Sequence, residues 1–204
     1  MKPLVVANWK ANPATLVQAR RLFDAVKDTG AVICPPFAYL SALKSNGAQD
    51  CFWSEGAFTG EVSAAMLKSL GVEYVILGHS ERRKYFGETE EAISQKVRAA
   101  LENDLKPILC FDNPSQIPQN GKNLIIAFEP VSAISRGGAF RPYPVEEAKK
   151  MRQSLADLPV VLYGGSVNSK NARDYVIEAG FEGLLVGQAS LDSKEFIEIV
   201  KAIC

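Results

Sequence analysis

Eight short apolar runs, each followed by a helical or helix-length segment, predict an α/β protein with parallel strands joined by right-handed crossovers. Eight such units favour closure into a (β/α)8 barrel, and a chain of 204 residues lies near the lower limit for that fold. A third observation says where the chain was shortened. Between the fifth and sixth apolar runs, DNPSQIPQNGKN carries two prolines and one glycine, which leave room for no more than a turn of helix. The expectation is a minimal barrel forming one domain over residues 1–204, with the helix between strands five and six reduced to a turn or lost.

In order, residues 4–9 read as the first strand, ending in Asn8, Trp9 and Lys10. Pro13 opens a helix to about Lys27, with Leu16, Ala19, Leu22, Phe23 and Val26 on one face and Gly30 closing it. Residues 31–34 form the second strand, stopped by Pro35 and Pro36. Residues 39–44 make only a short helix, and residues 48–53 are the third strand. The loop SEGAFTGE follows, with Phe58 and Thr59 at a glycine-flanked tip, where exposed apolar groups point to a partner surface. A short helix over 63–70 leads to the fourth strand, 74–77, and residues 89–103 show clear helical spacing of Ala92, Ile93, Val97, Ala100 and Leu101. Strands five (107–111) and six (123–128) flank the short connection. A long loop, 131–144, precedes a helix over 145–155, strand seven (160–163), the turn Gly164-Gly165-Ser166, a helix over 169–179, strand eight (183–186) and a last helix to about Ala202.

Composition excludes several function classes. Lys plus Arg and Asp plus Glu are equal at 23 each, so no overall basic field exists to attract nucleic acid or an anionic membrane. The apolar run in MKPLVVANWK is too short for a signal peptide or a membrane span, and a cytoplasmic protein is expected. Four scattered cysteines without CxxC or histidine partners argue against a zinc site and a disulfide framework. No metal and no cofactor are expected.

In a barrel, the residues after the strands share one rim, and chemistry collects there. That rim carries Asn8 and Lys10, the only histidine, His79, then Glu129, Ser166 and Gly187. A carboxylate, an imidazole and an ammonium converging on a pocket suit proton abstraction next to a carbonyl: a base takes the proton and an electrophile polarises the oxygen. The turn at Gly164-Gly165-Ser166 and the run Val186-Gly187-Gln188, each before a helix, suit a phosphate held by backbone N–H groups. Singly, each residue has an ordinary reading as a solvated charge, a tight turn or a loop carboxylate. Their joint appearance after five strands carries the functional reading.

At these residues the chain resembles the triosephosphate isomerases. The matching blocks are ANWKAN (7–12), CPPFAYL (34–40), GAFTGEVS (56–63), YVILGHSERR (74–83), FEPVSAIS (128–135), LYGGSVN (162–168) and LLVGQASL (184–191). The resemblance implies interconversion of dihydroxyacetone phosphate and glyceraldehyde 3-phosphate without a cofactor. It assigns Glu129 as the base, His79 as the neutral electrophile, Lys10 as the stabilising cation and Asn8 as a positioning donor. Ser135, Ser166, Gly187 and Gln188 would hold the phosphate, and residues 131–138 would form the lid. It also implies a homodimer in which residues 56–60 insert into the partner near its Asn8 and Lys10, with Gly56 and Glu61 flanking the loop. The chain departs from the family where Ser132 replaces a usual tryptophan, where Arg136 adds a charge at the lid tip, and where Gln188 replaces a glycine. A sugar-phosphate binding barrel with weak or no turnover is therefore the alternative function.

Overall fold

The computed structural model describes residues 2–119, 121, 124–133 and 140–204. Eight strands, β1 (Leu4–Asn8), β2 (Val32–Cys34), β3 (Gly47–Ala48), β4 (Tyr74–Leu77), β5 (Lys106–Phe111), β6 (Ile125–Phe128), β7 (Val161–Tyr163) and β8 (Gly183–Val186), pair in the order β2-β1-β8-β7-β6-β5-β4-β3. Every ladder is parallel; Val6, for example, lies opposite Val32 on one side and Leu185 on the other. Around them lie α1 (Leu16–Val26), α2 (Phe37–Leu43), α3 (Ala64–Ser69), α4 (Ser80–Phe86), α5 (Glu90–Glu102), α6 (Val145–Ser154) and α7 (Ser193–Ile203). This is the (β/α)8 barrel that the alternation predicts. Among the described residues no helix is long and apolar enough to cross a membrane.

Strand periodicity sorts the core. Val6, Val32, Ile76, Ile108, Cys110, Ala127, Leu162 and Leu185 pack together inside the barrel, while their chain neighbours, such as Val5, Ala7, Leu109, Ile126 and Leu184, pack outward under the helices. Gly183 is required by the close approach of β1, because a Cβ there would lie 1.9 Å from the Leu4 carbonyl oxygen. Helices α1, α5 and α7 start on side-chain caps: Thr15 accepts from the Gln18 N–H, Thr89 from Ala92, and Asp192 from Lys194 and Glu195.

The ring closes at β2 and β3 without a backbone ladder. The Ile33 N–H donates to Asn46 Oδ1 at 3.3 Å, Ser45 Oγ donates to the Ile33 carbonyl, and Gln49 Nε2 donates to the Cys34 carbonyl at 2.8 Å. Side chains therefore seal this seam.

Between β5 and β6, a 3-10 turn over Pro114–Gln116 follows Asn113, with Pro114 at its first position, and no α-helix occurs among the described residues of the connection. Asn113 and Gln116 cap it reciprocally. Ile117 of this strap packs on the outer core, where Leu109 and Ile126 are buried, so the strap covers the strands in place of a helix. A cavity of about 540 Å³ remains between the strap and the Ile93, Val97 and Leu101 stripe of α5.

Several expectations need correction. The third strand is two residues long, because Gln49 and Asp50 turn their side chains to other partners and leave only an isolated bridge between Phe52 and Ser63. The helix expected over residues 169–179 is helical only from Ala172 to Glu178, with a π-helical turn at Asp174–Glu178. Asn168 and Asn171 bond to each other's backbone, which holds residues 168–171 in a turn. Helix α4 is an element that apolar periodicity does not reveal, since none of its residues is buried. The expected start at Pro13 also moves: Thr15 caps a helix that begins at Leu16.

Candidate active site

The alternation that places Val6 inside the barrel continues to Asn8, and the same parity carries Ala127 to Glu129, so both side chains emerge at the C-terminal rim of the strands. Asn8 Oδ1 accepts the Lys10 N–H at 3.1 Å. Lys10 has φ +54, and Gln49 Nε2 donates to its carbonyl at 2.9 Å, which holds the turn that sends the ammonium over the rim. Its Nζ lies 2.7 Å from Glu81 Oε1.

His79 leaves β4 through Gly78, whose φ of +65 turns the chain into α4. The imidazole caps that helix: Nδ1 accepts the Glu81 N–H at 3.1 Å. An accepting Nδ1 carries no proton, so the neutral ring has its hydrogen on Nε2, which lies 3.0 Å from Glu129 Oε1. Glu129 Oε2 accepts the Ser80 N–H at 3.0 Å. Both groups are deeply buried, Glu129 at 3% and His79 at 7% exposure.

Burial alone would push the Glu129 carboxyl up, but His79, the Ser80 N–H and Lys10 hold it below the usual carboxylate range. Burial likewise pushes the imidazole down, and Glu129 outweighs it, raising His79 above 6.5.

Behind the site, α4 is fixed by ions. Arg82 Nε contacts Asp50 at 2.9 Å and Glu88 at 3.0 Å, and the buried Lys96 of α5 binds the same two carboxylates. Arg83 donates to the carbonyls of Gly78 and Cys110, tying the ends of β4 and β5 together. These contacts replace the apolar packing that α4 lacks.

The opposite wall is glycine-rich. A Cβ on Gly165 would meet the Tyr163 hydroxyl at 2.2 Å, so this turn admits only glycine. Asn8, Lys10, His79, Glu129, Ser166, Gly187 and Gln188 line one pocket of about 220 Å³, below the roughly 300–1,000 Å³ of sites for drug-sized ligands. A small polar metabolite fits it. Seven of the eight residues singled out in the sequence thus come together. The eighth, Ser135, lies with Arg136 and the lid tip outside the described residues.

A family model described as triosephosphate isomerase matches residues 3–203. The chain belongs to the triosephosphate isomerase family. Proteins named triosephosphate isomerase from Carboxydothermus hydrogenoformans and Fusobacterium nucleatum are each 39% identical to it, covering 98% and 99% of both chains respectively. One from a Thermoanaerobacter species is 36% identical over 98% of both. The first alignment spans 246 positions, more than the 204 residues available, so gaps fall within this member of the triosephosphate isomerase family. By this membership the chain is an enzyme, an isomerase.

Sequence reasoning did not find several supporting groups. Gln49 reads as an ordinary strand residue, and Phe140 as part of a loop. The pairing of Glu81 with Lys10 depends on α4, whose exposed and charged sequence carries no periodic signal.

Proposed function

We propose that the chain interconverts dihydroxyacetone phosphate and D-glyceraldehyde 3-phosphate through an enediolate. The observation that carries this reading is the contact between Glu129 and His79 Nε2, 3.0 Å apart, in one small pocket with Lys10 and the glycine-rich wall. Glu129, ionised and shielded from water, is the base that moves the proton between adjacent substrate carbons. His79 donates its Nε2 hydrogen to the oxygen that gains charge, and Lys10 and Asn8 supply the cation and a positioning amide. Ser135, Gly187, Gln188 and Ser166 hold the phosphate. The hydroxyl and N–H of Ser166 both donate to the Ala133 carbonyl, at 2.8 and 3.0 Å, so phosphate binding through this residue requires that contact to open. No cofactor takes part, and the enzyme works in the cytosol.

General acid–base groups contribute roughly 10²- to 10⁴-fold to rate, so Glu129→Gln should lower kcat in a coupled glyceraldehyde 3-phosphate assay by about that factor. Near-normal turnover in the variant would exclude the mechanism. The binding-barrel alternative, motivated by Ser132, Gln188 and the shortened β5–β6 connection, would show instead as tight binding of 2-phosphoglycolate by a wild type without turnover.

The chain also forms a homodimer, in our reading, through the loop 56–61. Phe58, 43% exposed, packs on Phe52 at 4.6 Å, and Trp53 stacks on Phe52 at 3.9 Å. Nearby, Arg82 lies over the exposed ring of Phe86. The loop tip thus leans on its own barrel while leaving an aromatic surface open to a second copy.

A further inference from the structure

The largest apolar side chain in the active-site wall among the described residues is Phe140, which lines the pocket together with Ala133, Val167 and Leu185 and has half of its surface exposed. Its backbone is anchored through the next residue. The Arg141 N–H donates to Ser166 Oγ at 3.3 Å, and that hydroxyl donates in turn to the Ala133 carbonyl at 2.8 Å. The chain beside Phe140 is therefore tied to Ser166 in the glycine-rich wall.

We propose that Phe140 is a specificity-determining residue that limits the substrate to three carbons. The inference rests on the proposed isomerase reading. In that reading the reacting carbons are fixed at Glu129 and His79, and the phosphate at the glycine-rich wall. Two fixed ends leave one allowed chain length. An extra carbon between them must bulge outward, and among the apolar residues that line the pocket, Ala133, Phe140, Val167, Leu185 and Ala189, Phe140 has the largest side chain to resist it. Discrimination by one methylene group is typically about 10- to 200-fold, which is the range a single ring can supply.

The test uses wild type, Phe140→Ala and Phe140→Leu. Steady-state kinetics compare D-glyceraldehyde 3-phosphate with D-erythrose 4-phosphate, and calorimetry compares 2-phosphoglycolate with 3-phosphooxypropanoate, one methylene longer. Phe140→Ala should raise the four-carbon to three-carbon ratio of kcat/KM at least about tenfold and narrow the affinity gap between the two anions correspondingly, with Phe140→Leu between. Unchanged ratios in both variants would overturn the proposal. A wild type inactive on the triose phosphate would defeat the isomerase reading, and the affinity ratio would still decide whether the ring measures ligand length.

Discussion

His79 is pulled two ways by its immediate surroundings. The Glu81 N–H on Nδ1 and the loss of water favour a neutral ring, whereas Glu129 favours the cation and raises the pKa above 6.5. A group whose folded pKa lies above its unfolded value adds stability that is complete below the unfolded pKa, here about 6.5. That contribution disappears as pH rises through the folded value. In Glu129→Gln the carboxylate is gone and burial remains, so the titration of His79 should move to lower pH, below 6.5. As the only histidine, it gives ring C–H resonances that can be followed by NMR without overlap from a second imidazole. A midpoint that does not move would show that something other than Glu129 sets the charge of this ring.

At the level of elements, the β2–β3 seam links barrel closure to the site, because Gln49 donates both to Cys34 on β2 and to Lys10 beyond β1. Removing it leaves the part-buried Lys10 carbonyl without that donor, at roughly 1–3 kcal/mol for an unsatisfied buried group, while the Cys34 carbonyl keeps the Trp9 N–H at 3.1 Å. Gln49→Ala should lower Tm by several degrees and reduce kcat through a less well-held Lys10; unchanged Tm and kcat would assign the seam to the other side chains. The elements legible in the sequence were those with a strong period or strong punctuation, such as α5 with its Thr89 cap and the Asn113-Pro114 turn. Helix α4 was not legible, since Arg82 and Arg83 hold it through the Asp50 carboxylate and the Cys110 carbonyl, both distant in sequence. Asp50 and Gln49 look like strand residues because nothing local shows that their partners lie on α5 and at Lys10.

For the whole molecule, dimerisation is tested by sedimentation at micromolar concentration. The wild type should sediment as a dimer and Thr59→Arg as a monomer of much reduced activity, since a charge at the loop tip would be buried unpaired. An active monomeric wild type would remove the second copy from the argument. The rim residues Asn8, Lys10, His79 and Glu129 were legible because strand ends and lone polar groups mark positions. The wall carrying Phe140 was not, because its approach to Ser166 follows from tertiary bonds at Ala133 and Arg141.

The strap between β5 and β6 changes what folding must organise as well as what it covers. Fixing each backbone residue opposes folding by roughly 1–2 kcal/mol. A barrel that replaces a helix with a short turn gives up the area that helix would have buried, and it also has fewer residues to immobilise. Ile117 recovers part of that area from a segment in which Pro114 and Pro118 already restrict the unfolded chain. Loss of a ring helix therefore need not mean a proportionate loss of stability, which is how a chain this short can still close a barrel.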